Sequence, residues 1–306
     1  MHVIFGAGPL GLAVSRAVRS AGRPVRIVTR GGRVASEGAE AVAADATDHQ
    51  AARAACRDAE VVYHCAAAPY ADWARLSAPL MAGIMAGAAS AGARLVYGDN
   101  LYCYGPVDGP ITEDLPYRAT GPNERARARV AEALLAAHGR GELSAVIGRA
   151  SDFYGPHVRF SIVGDRVFPA ALAGRPAQVL PDADTPHTFT FIDDFAAALV
   201  NLGMRDDAAG QVWHVPSAEP LTTRQFVELV FAEAGTTPRL RVAPKPAIRA
   251  LGLVSPTMKA IGDRLYQTER PFVMDHSKYD KAFGVAPTSH RDAVRATLDW
   301  YRASAG

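Results

Sequence analysis

Hydrophobic and polar positions alternate along the first half of the chain in a regular order of short apolar runs and longer Ala-rich stretches. His2–Phe5 is an apolar run of the kind that forms a buried strand. After it, Leu10, Val14 and Val18 recur at helical spacing, and the stretch ends at Gly22. A strand, a helix and a further strand in succession are typical of βαβ units and predict a parallel sheet.

The same pattern continues to about residue 150. Further apolar runs predict strands at 24–29, 41–44, 61–65, 94–98 and 144–149. Helical spacing between them predicts helices at about 49–57, 78–91 and 124–138. The predicted fold class is therefore α/β, with a doubly wound parallel sheet of the Rossmann type.

The alternation loosens after Ser151. A strand-like run at 188–192 leads through Asp193, a good helix N-cap residue, into a helical run at 195–202. Thr222 and Gln225 then form a capping-box pattern ahead of another helical run. We therefore predict two regions. The dinucleotide-binding domain is predicted at 1–155, completed by about 187–215, and a smaller substrate-binding region at 156–186 and 216–306.

Composition narrows the class of protein. Of the 306 residues, 49% are hydrophobic and 21% are charged, with 33 basic and 31 acidic side chains. This composition is ordinary for a chain that forms a hydrophobic core, and it excludes a disordered protein. The small net charge of +2 indicates no nucleic-acid partner. No run approaches the ~18 apolar residues of a membrane span and no signal-peptide pattern is present, so a cytoplasmic location is expected.

The three cysteines, Cys56, Cys65 and Cys103, have no metal-ligand spacing. We expect them to be reduced and mostly buried, and we predict no metal site.

Gly6, Gly8 and Gly11 form a Gly-x-Gly-x-x-Gly motif between the first predicted strand and helix. In this context the motif predicts a dinucleotide site, because the glycines permit a tight turn, close approach of a pyrophosphate and close helix packing. Pro9 suits a first helical position, and Leu10 belongs to the same turn. The alternative is a glycine-rich turn without a ligand.

The choice of dinucleotide depends on the end of the second strand, where NAD enzymes usually carry an acidic residue. The first carboxylate of this chain is Glu37, and the strand ends instead in Thr29, Arg30 and, slightly later, Arg33. Guanidinium groups match phosphate geometry, so NADP(H) is favoured over NAD(H). The alternative is that both arginines are solvated surface charges.

Several segments, in this order along the chain, resemble the extended short-chain dehydrogenase/reductase family, the NAD-dependent epimerase/dehydratase group. They are GAGPLG at 6–11, ADATD at 44–48, VYHCAA at 62–67, LYCYG at 101–105, RASDFYGP at 149–156, FIDD at 191–194 and DHSK at 275–278. The resemblance implies that Asp45 and Ala46 lie beside the adenine of the cofactor. It also implies that the turn at Ala66 and Ala67 contacts the cofactor.

The family's catalytic Tyr-x-x-x-Lys pair is missing. One register of the helix places Glu124 and Ala128 at those two positions, the register shifted by one places Asn123 and Arg127 there, and no lysine precedes Lys245. The absence casts doubt on ordinary alcohol–ketone chemistry, in which the lysine lowers the pKa of the tyrosine.

Three residues are candidates for catalysis. Asn100 stands where the family carries a serine, and its amide can donate to a developing oxyanion or cap the strand-end turn. Tyr102 is the leading proton donor or substrate hydrogen-bond partner if the segment stays extended, with a packed tyrosine as the alternative. Glu124, with Arg125 and Arg127, can form an acid/base or anion clamp, although a charge run at a helix start is usually solvated.

Four residues are predicted to contact the substrate: Tyr70, Trp73, Phe153 and His157. For His157 an incidental loop histidine is the alternative, and His64 is interpreted as a satisfied core residue. Together these features predict an NADP(H)-dependent oxidoreductase that reduces a small organic substrate. Redox-neutral epimerase or dehydratase chemistry and a non-catalytic NADP(H) sensor are the alternatives. We expect a small-molecule substrate and no nucleic-acid or membrane partner, and a homodimer is left open.

Overall fold

The computed structural model describes residues 1–34, 36–68, 72–255, 262 and 264–304. The chain divides into two compact units, which are described separately below. The first unit comprises Met1–Gly105, Pro116–Ala150 and Asp193–Val215. The second unit comprises Pro106–Leu115, Ser151–Ile192 and Pro216–Gly306.

The strands are short, as expected for apolar runs bounded by turns. They are β1 His2–Phe5, β2 Val25–Thr29, β3 Glu40–Ala43, β4 Val61–His64, β5 Arg94–Asn100, β6 Ala145–Ala150, β7 Asp152–Tyr154, β8 Ala177–Val179, β9 Pro186–His187, β10 Phe189–Phe191, β11 Val212–His214, β12 Leu221–Thr222 and β13 Leu240–Val242.

The helices follow the strands in the order that the alternation predicts. They are α1 Pro9–Ser20, α2 His49–Ala55, α3 Trp73–Ala91, α4 Pro122–Gly139, α5 Phe168–Leu172, α6 Ile192–Gly203, α7 Thr223–Ala234, α8 Lys245–Gly252, α9 Tyr266–Glu269, α10 Ser277–Phe283 and α11 His290–Ser304. Short 3₁₀ helices span Leu101–Tyr104 and Asp206–Ala208.

A seven-stranded parallel sheet forms the first unit, in the order β11-β6-β5-β4-β1-β2-β3. The predicted doubly wound α/β fold is confirmed. β1 lies between β2 and β4, so the strand order reverses there, and ligands of such sheets bind outside the carboxyl ends of the strands at this point. Phe5, His64 and Tyr97 are register neighbours near those ends.

Small residues bring the helices close to the sheet and to one another. A Cβ added to Gly83 of α3 would lie 1.9 Å from the carbonyl oxygen of Ala46, so the close approach requires glycine. On the other face, Gly98 of β5 and Gly148 of β6 are register partners, and both lie against Leu199 of α6. Side chains at these positions would separate the layers.

The second unit has a core of aromatic rings. Tyr154, Phe168, Phe189, Phe226 and Tyr301 are almost completely buried and pack on one another. Three two-stranded pairings, β7 with β10, β8 with β13 and β9 with β12, accompany this core among the described residues.

Two local predictions are corrected and one is confirmed. α3 begins at Trp73, five residues before the predicted 78, and Pro79 lies within the helix. Asp193 is not an N-cap, because α6 starts at Ile192 directly after β10; Asp193 lies in the first turn and accepts a hydrogen bond from Arg16 at 2.6 Å. The capping box at the start of α7 is present, with both its hydrogen bonds.

Candidate dinucleotide and substrate site

The glycine turn of the first unit is tight at its two ends and open in its middle. Gly6 has a φ of +104°, and a Cβ there would lie 2.7 Å from Cα of Ala66. A Cβ on Gly11 would lie 2.0 Å from the carbonyl oxygen of Gly6. Gly8 is exposed, and a Cβ there would meet nothing within 4 Å. The turn therefore packs closely against the end of β4 and leaves the backbone at Gly8 accessible.

The start of α1 is suited to an anion. Gly8 is its N-cap residue, no side chain caps it, and its first turn has no acidic residue. Its backbone N–H groups and the positive end of the helix dipole are therefore available to phosphate oxygens. Leu10 packs against Gly98, which places this turn beside the end of β5. The residues present fit the pyrophosphate of a dinucleotide.

The end of β2 carries basic groups and one unsatisfied hydroxyl. Arg30 and Arg33 are exposed and make no hydrogen bond or ion pair with the described residues. Oγ1 of Thr29 is buried and has no hydrogen-bond partner there either. A ribose hydroxyl or a phosphate fits these three groups, because none of them makes a hydrogen bond or ion pair within the described part of the chain.

Asp45, after β3, is held in a local turn. One of its carboxylate oxygens accepts hydrogen bonds from the backbone N–H of Thr47 at 2.9 Å and from the hydroxyl of Thr47 at 2.8 Å. These two bonds, and to a smaller extent the positive charge of Arg30, lower the pKa of Asp45. Ala46 beside it is buried, whereas Ala67 is exposed and Ala66 contacts the glycine turn.

The exit of β5 differs from the prediction. Leu101–Tyr104 is a 3₁₀ helix, so the segment does not stay extended and the spacing argument for Tyr102 is wrong. Oδ1 of Asn100 accepts a hydrogen bond from the backbone N–H of Tyr102 at 3.2 Å and caps this helix. The tertiary structure nonetheless places the Tyr102 ring 6.0 Å from the guanidinium carbon of Arg127.

A buried charge cluster lies at the ends of β5 and β6. Asp99 accepts hydrogen bonds from Arg127 at 3.1 Å and from Arg149 at 3.0 Å. The Arg149 side chain is completely buried and also donates to the hydroxyls of Tyr104 and Tyr117, both at 2.8 Å. We define the Asp99 cluster as these five residues. Asp99 and Arg149 are register partners in the sheet, so the pairing follows from the topology.

Arg127 of α4 stacks on the indole of Trp73 from α3, with 4.0 Å between the guanidinium carbon and the ring centre. Trp73 is itself buried, and its Nε1 has no hydrogen-bond partner within the described chain. Glu124 is also buried rather than solvated, and one of its carboxylate oxygens occupies the space over Gly121 at the helix start. The predicted residues Trp73 and Tyr102 thus lie beside Arg127. Asn100 directly follows Asp99, which accepts a hydrogen bond from Arg127.

His64 corrects one interpretation. It is buried as a core residue, but its Nδ1 has no hydrogen-bond partner in the described structure, so it is not satisfied. Burial lowers the pKa of His64 to about 3, which keeps the ring neutral.

None of the remaining predicted substrate residues is among the described residues of the first unit. Phe153, on β7, and His157 belong to the second unit, and Tyr70 lies outside the described residues. His157 has a φ of +68° and packs on Trp300, with 4.9 Å between the ring centres. None of these positions is assigned a role by its contacts alone.

Sequence reasoning missed two buried polar pairs. The first is Asp99 with Arg149, for which the available signal was an arginine inside an apolar strand. The second is Asp152 with His187 in the second unit, whose side chains are 3.0 Å apart and almost completely buried. No local pattern joins Asp152 to a residue 35 positions later.

None of the helices among the described residues is both long and apolar enough to cross a membrane. No group of three or more His, Cys, Asp or Glu side chains among the same residues is arranged to hold a metal ion.

The doubly wound sheet and the glycine turn at its switch point define a Rossmann-type nucleotide-binding fold. The chain belongs to the NAD dependent epimerase/dehydratase family, whose sequence model matches residues 2–215. No curated protein sequence matches it.

Solved structures share the fold over the full length of the chain. MoeE5 in complex with UDP-glucose and NAD is 21% identical, with a TM-score of 0.78 over 100% of this chain and 99% of that chain. UDP-glucose 4-epimerase from Thermotoga maritima is 17% identical, with a TM-score of 0.79 and 100% of both chains covered. DesIV, a dTDP-glucose 4,6-dehydratase from Streptomyces venezuelae, is 19% identical, with a TM-score of 0.79 over 99% and 97% of the two chains.

Proposed function

We propose that the protein is an NADP(H)-dependent oxidoreductase that reduces a small organic substrate. The observation that carries the cofactor choice is the end of β2, where Arg30 and Arg33 are exposed and make no hydrogen bond or ion pair with the described residues, and where no carboxylate occupies the ribose position. Two guanidinium groups there favour a 2′-phosphate over a 2′-hydroxyl.

Different residues of the chain bind the cofactor and contact the substrate. The Gly6–Gly11 turn holds the pyrophosphate, and Arg30 with Arg33 holds the 2′-phosphate. When bound, the reduced nicotinamide supplies a hydride. Asn100 uses its carbonyl oxygen to cap the 3₁₀ helix, which leaves its amide N–H groups to donate to the substrate oxygen. Tyr102, near Arg127, carries the proton that the reduced oxygen receives.

Titration calorimetry with NADPH and NADH tests the cofactor, and NADPH oxidation against carbonyl compounds tests the activity. We expect NADPH to bind more tightly than NADH and at least one carbonyl compound to be reduced. Tighter binding of NADH would refute the cofactor assignment. Tight NADPH binding without turnover on any compound would favour the non-catalytic sensor.

A second candidate is a redox-neutral epimerase or dehydratase. Family membership favours it, and so do similar solved structures, which include a UDP-glucose 4-epimerase and a dTDP-glucose 4,6-dehydratase. In such an enzyme the cofactor stays bound and returns to its starting state. Mass spectrometry of a dinucleotide that co-purifies, with nucleotide sugars as test substrates, distinguishes the two: conversion without net NADPH oxidation supports the second.

A homodimer is part of the proposal. A groove of about 530 Å³ runs between α3 and α4 of the first unit and is lined mainly by alanine and methionine side chains, with Arg129 and Arg140 also present. We assign this apolar surface to a second copy of the chain. Light scattering should report a dimer, and Ala133→Arg, which places a charge in the groove, should give a monomer.

A further inference from the structure

The Asp99 cluster, which includes Arg127, contains unequal numbers of positive and negative side chains. Two guanidinium groups, Arg127 and Arg149, share the single carboxylate of Asp99. Arg149 donates hydrogen bonds through Nε to Asp99, through Nη1 to Tyr104 and through Nη2 to Tyr117. Its side chain is completely buried. The excess positive charge is therefore accessible only at Arg127, where 18% of the side chain is exposed.

Arg127 leaves one edge of its guanidinium unused. It donates to Asp99 through Nη1 alone, and its Nε and Nη2 have no partner among the residues that the structure describes. Elsewhere in this protein the Nε–Nη2 edge of an arginine holds both oxygens of a carboxylate. The examples are Arg140 with Glu142 at 2.6 and 3.1 Å, Arg205 with Asp207 at 2.9 and 2.7 Å, and Arg224 with Asp184 at 2.6 and 2.9 Å.

The unused edge is held in place before any ligand arrives. The guanidinium carbon lies over the Trp73 ring, 4.0 Å from its centre, and the Nη1 atom is held by its hydrogen bond to Asp99. A partly buried and preorganised guanidinium binds an anion with less loss of side-chain entropy than a solvated one. Glu124, one turn earlier on α4, does not occupy this role in the structure, since its carboxylate lies over Gly121.

We propose that the Nε–Nη2 edge of Arg127 binds a carboxylate of the substrate, so that the substrate class is a small oxo acid. This inference rests on the proposed function. A planar carboxylate matches the edge in shape, and one negative charge balances the excess charge of the cluster. The Tyr102 ring lies 6.0 Å from the guanidinium carbon of Arg127, and Asn100 directly follows Asp99 at the end of β5, so the reactive carbonyl of such an acid would be presented to these two residues. Arg127 is therefore a binding residue, and the guanidinium keeps its proton throughout.

The test compares oxo acids with their methyl esters, because the ester keeps the carbonyl and removes the charge. Pyruvate, acetoacetate and levulinate, each beside its methyl ester, are titrated by calorimetry into the protein saturated with NADP⁺, which prevents turnover. We expect at least one acid to bind about 10- to 100-fold more tightly than its ester, the range of a charge-assisted contact.

The variants then assign the preference to one side chain. Arg127→Gln should abolish the difference between acid and ester, Arg127→Lys should retain part of it, and NADP⁺ affinity should be unchanged in both. Arg125→Gln is the matched control, since Arg125 is two residues away on the same helix and exposed, and it should behave as the wild type.

Three outcomes would overturn the proposal: no acid preference in the wild type, the same preference in Arg127→Gln, or a loss confined to NADP⁺ affinity. If Arg127→Gln does not fold, as judged by circular dichroism, Arg127→Lys and the wild-type comparison decide. If the wild type does not bind NADP⁺, the proposed function fails separately. The same titrations into the protein alone then decide whether Arg127 binds carboxylates.

Discussion

The glycine turn and the Asp99 cluster lie at the same edge of one sheet and are built in opposite ways. The turn is formed by backbone groups: a Cβ on Gly8 would meet no atom within 4 Å, and no side chain caps the start of α1. The cluster is made of side chains, with Asp99 and Arg149 almost completely buried and each satisfied by the other. The comparison teaches that the proposed cofactor site depends on side chains that are absent, whereas the proposed site for a substrate charge depends on a supporting network of side chains.

The largest effect is expected at the turn. Gly8→Val should abolish measurable NADPH binding, because the side chain would fill the space that a pyrophosphate requires, while the protein still folds. Calorimetry measures binding and circular dichroism measures folding. Gly11→Val is the contrasting variant, since its Cβ would lie 2.0 Å from a backbone oxygen and should prevent correct folding. Normal NADPH binding by Gly8→Val would show that the turn is only structural.

At the Arg127 side of the comparison, Tyr102→Phe should lower kcat on an identified substrate by about 10²–10⁴-fold, the usual contribution of a positioned general acid. NADPH affinity should stay the same, because the ring does not contribute to the turn. Steady-state kinetics beside Asn100→Ala and Glu124→Gln provide the measurement. Wild-type rates in Tyr102→Phe would remove the phenol from the mechanism, and a selective loss in Glu124→Gln would assign the proton to that carboxylate.

The supporting network should be sensitive to the loss of its one carboxylate. Asp99→Asn leaves the completely buried guanidinium of Arg149 without a counter-charge and should lower the free energy of unfolding by about 3–5 kcal/mol. Urea denaturation measures this. Asp184→Asn removes an exposed ion pair with Arg224 and should have a much smaller effect. Equal losses in the two variants would contradict the expected difference between a buried and an exposed ion pair.

Cofactor binding should respond more weakly to loss of the proposed 2′-phosphate contact at Arg30 than to a change in the glycine turn. Arg30→Ala should weaken NADPH binding roughly 10- to 100-fold, since a charge-assisted contact contributes about 1.5–3 kcal/mol, and should leave NADH binding nearly unchanged. Calorimetry with both dinucleotides measures the difference. A comparable loss for NADH would place Arg30 outside the phosphate contact.

The last effect concerns the pH dependence of stability. His64 has a pKa of about 3 in the folded protein against an ordinary value of 6.5, so only the unfolded chain binds the proton between these values. The free energy of unfolding should therefore fall by about 1.4 kcal/mol per pH unit as the pH decreases through that window. In His64→Leu this contribution to the slope should disappear. Urea titrations at several pH values, in parallel for both proteins, check it, and identical slopes would refute the assignment.

Local patterns were sufficient for much of the fold. The period of apolar residues predicted the strands and helices of the sheet, and the Gly-x-Gly-x-x-Gly motif carried its own structural context within a few residues. The boundaries of α3 and α6 were less accurate, because a proline inside a helix and a helix without a preceding loop both contradict local rules. Tyr102 was assigned by a spacing that the 3₁₀ helix does not keep.

By itself, the sequence determined the fold class, the glycine turn and the basic end of β2, since each depends on residues that are near one another along the chain. Only the tertiary structure decided that Asp99 meets Arg149, 50 positions later, and that Trp73 lies under Arg127. The first pairing follows from the register of two parallel strands and the second from the packing of two helices. Neither contact follows from local sequence preferences, because the burial of a charged side chain depends on which distant segments pack around it and exclude water.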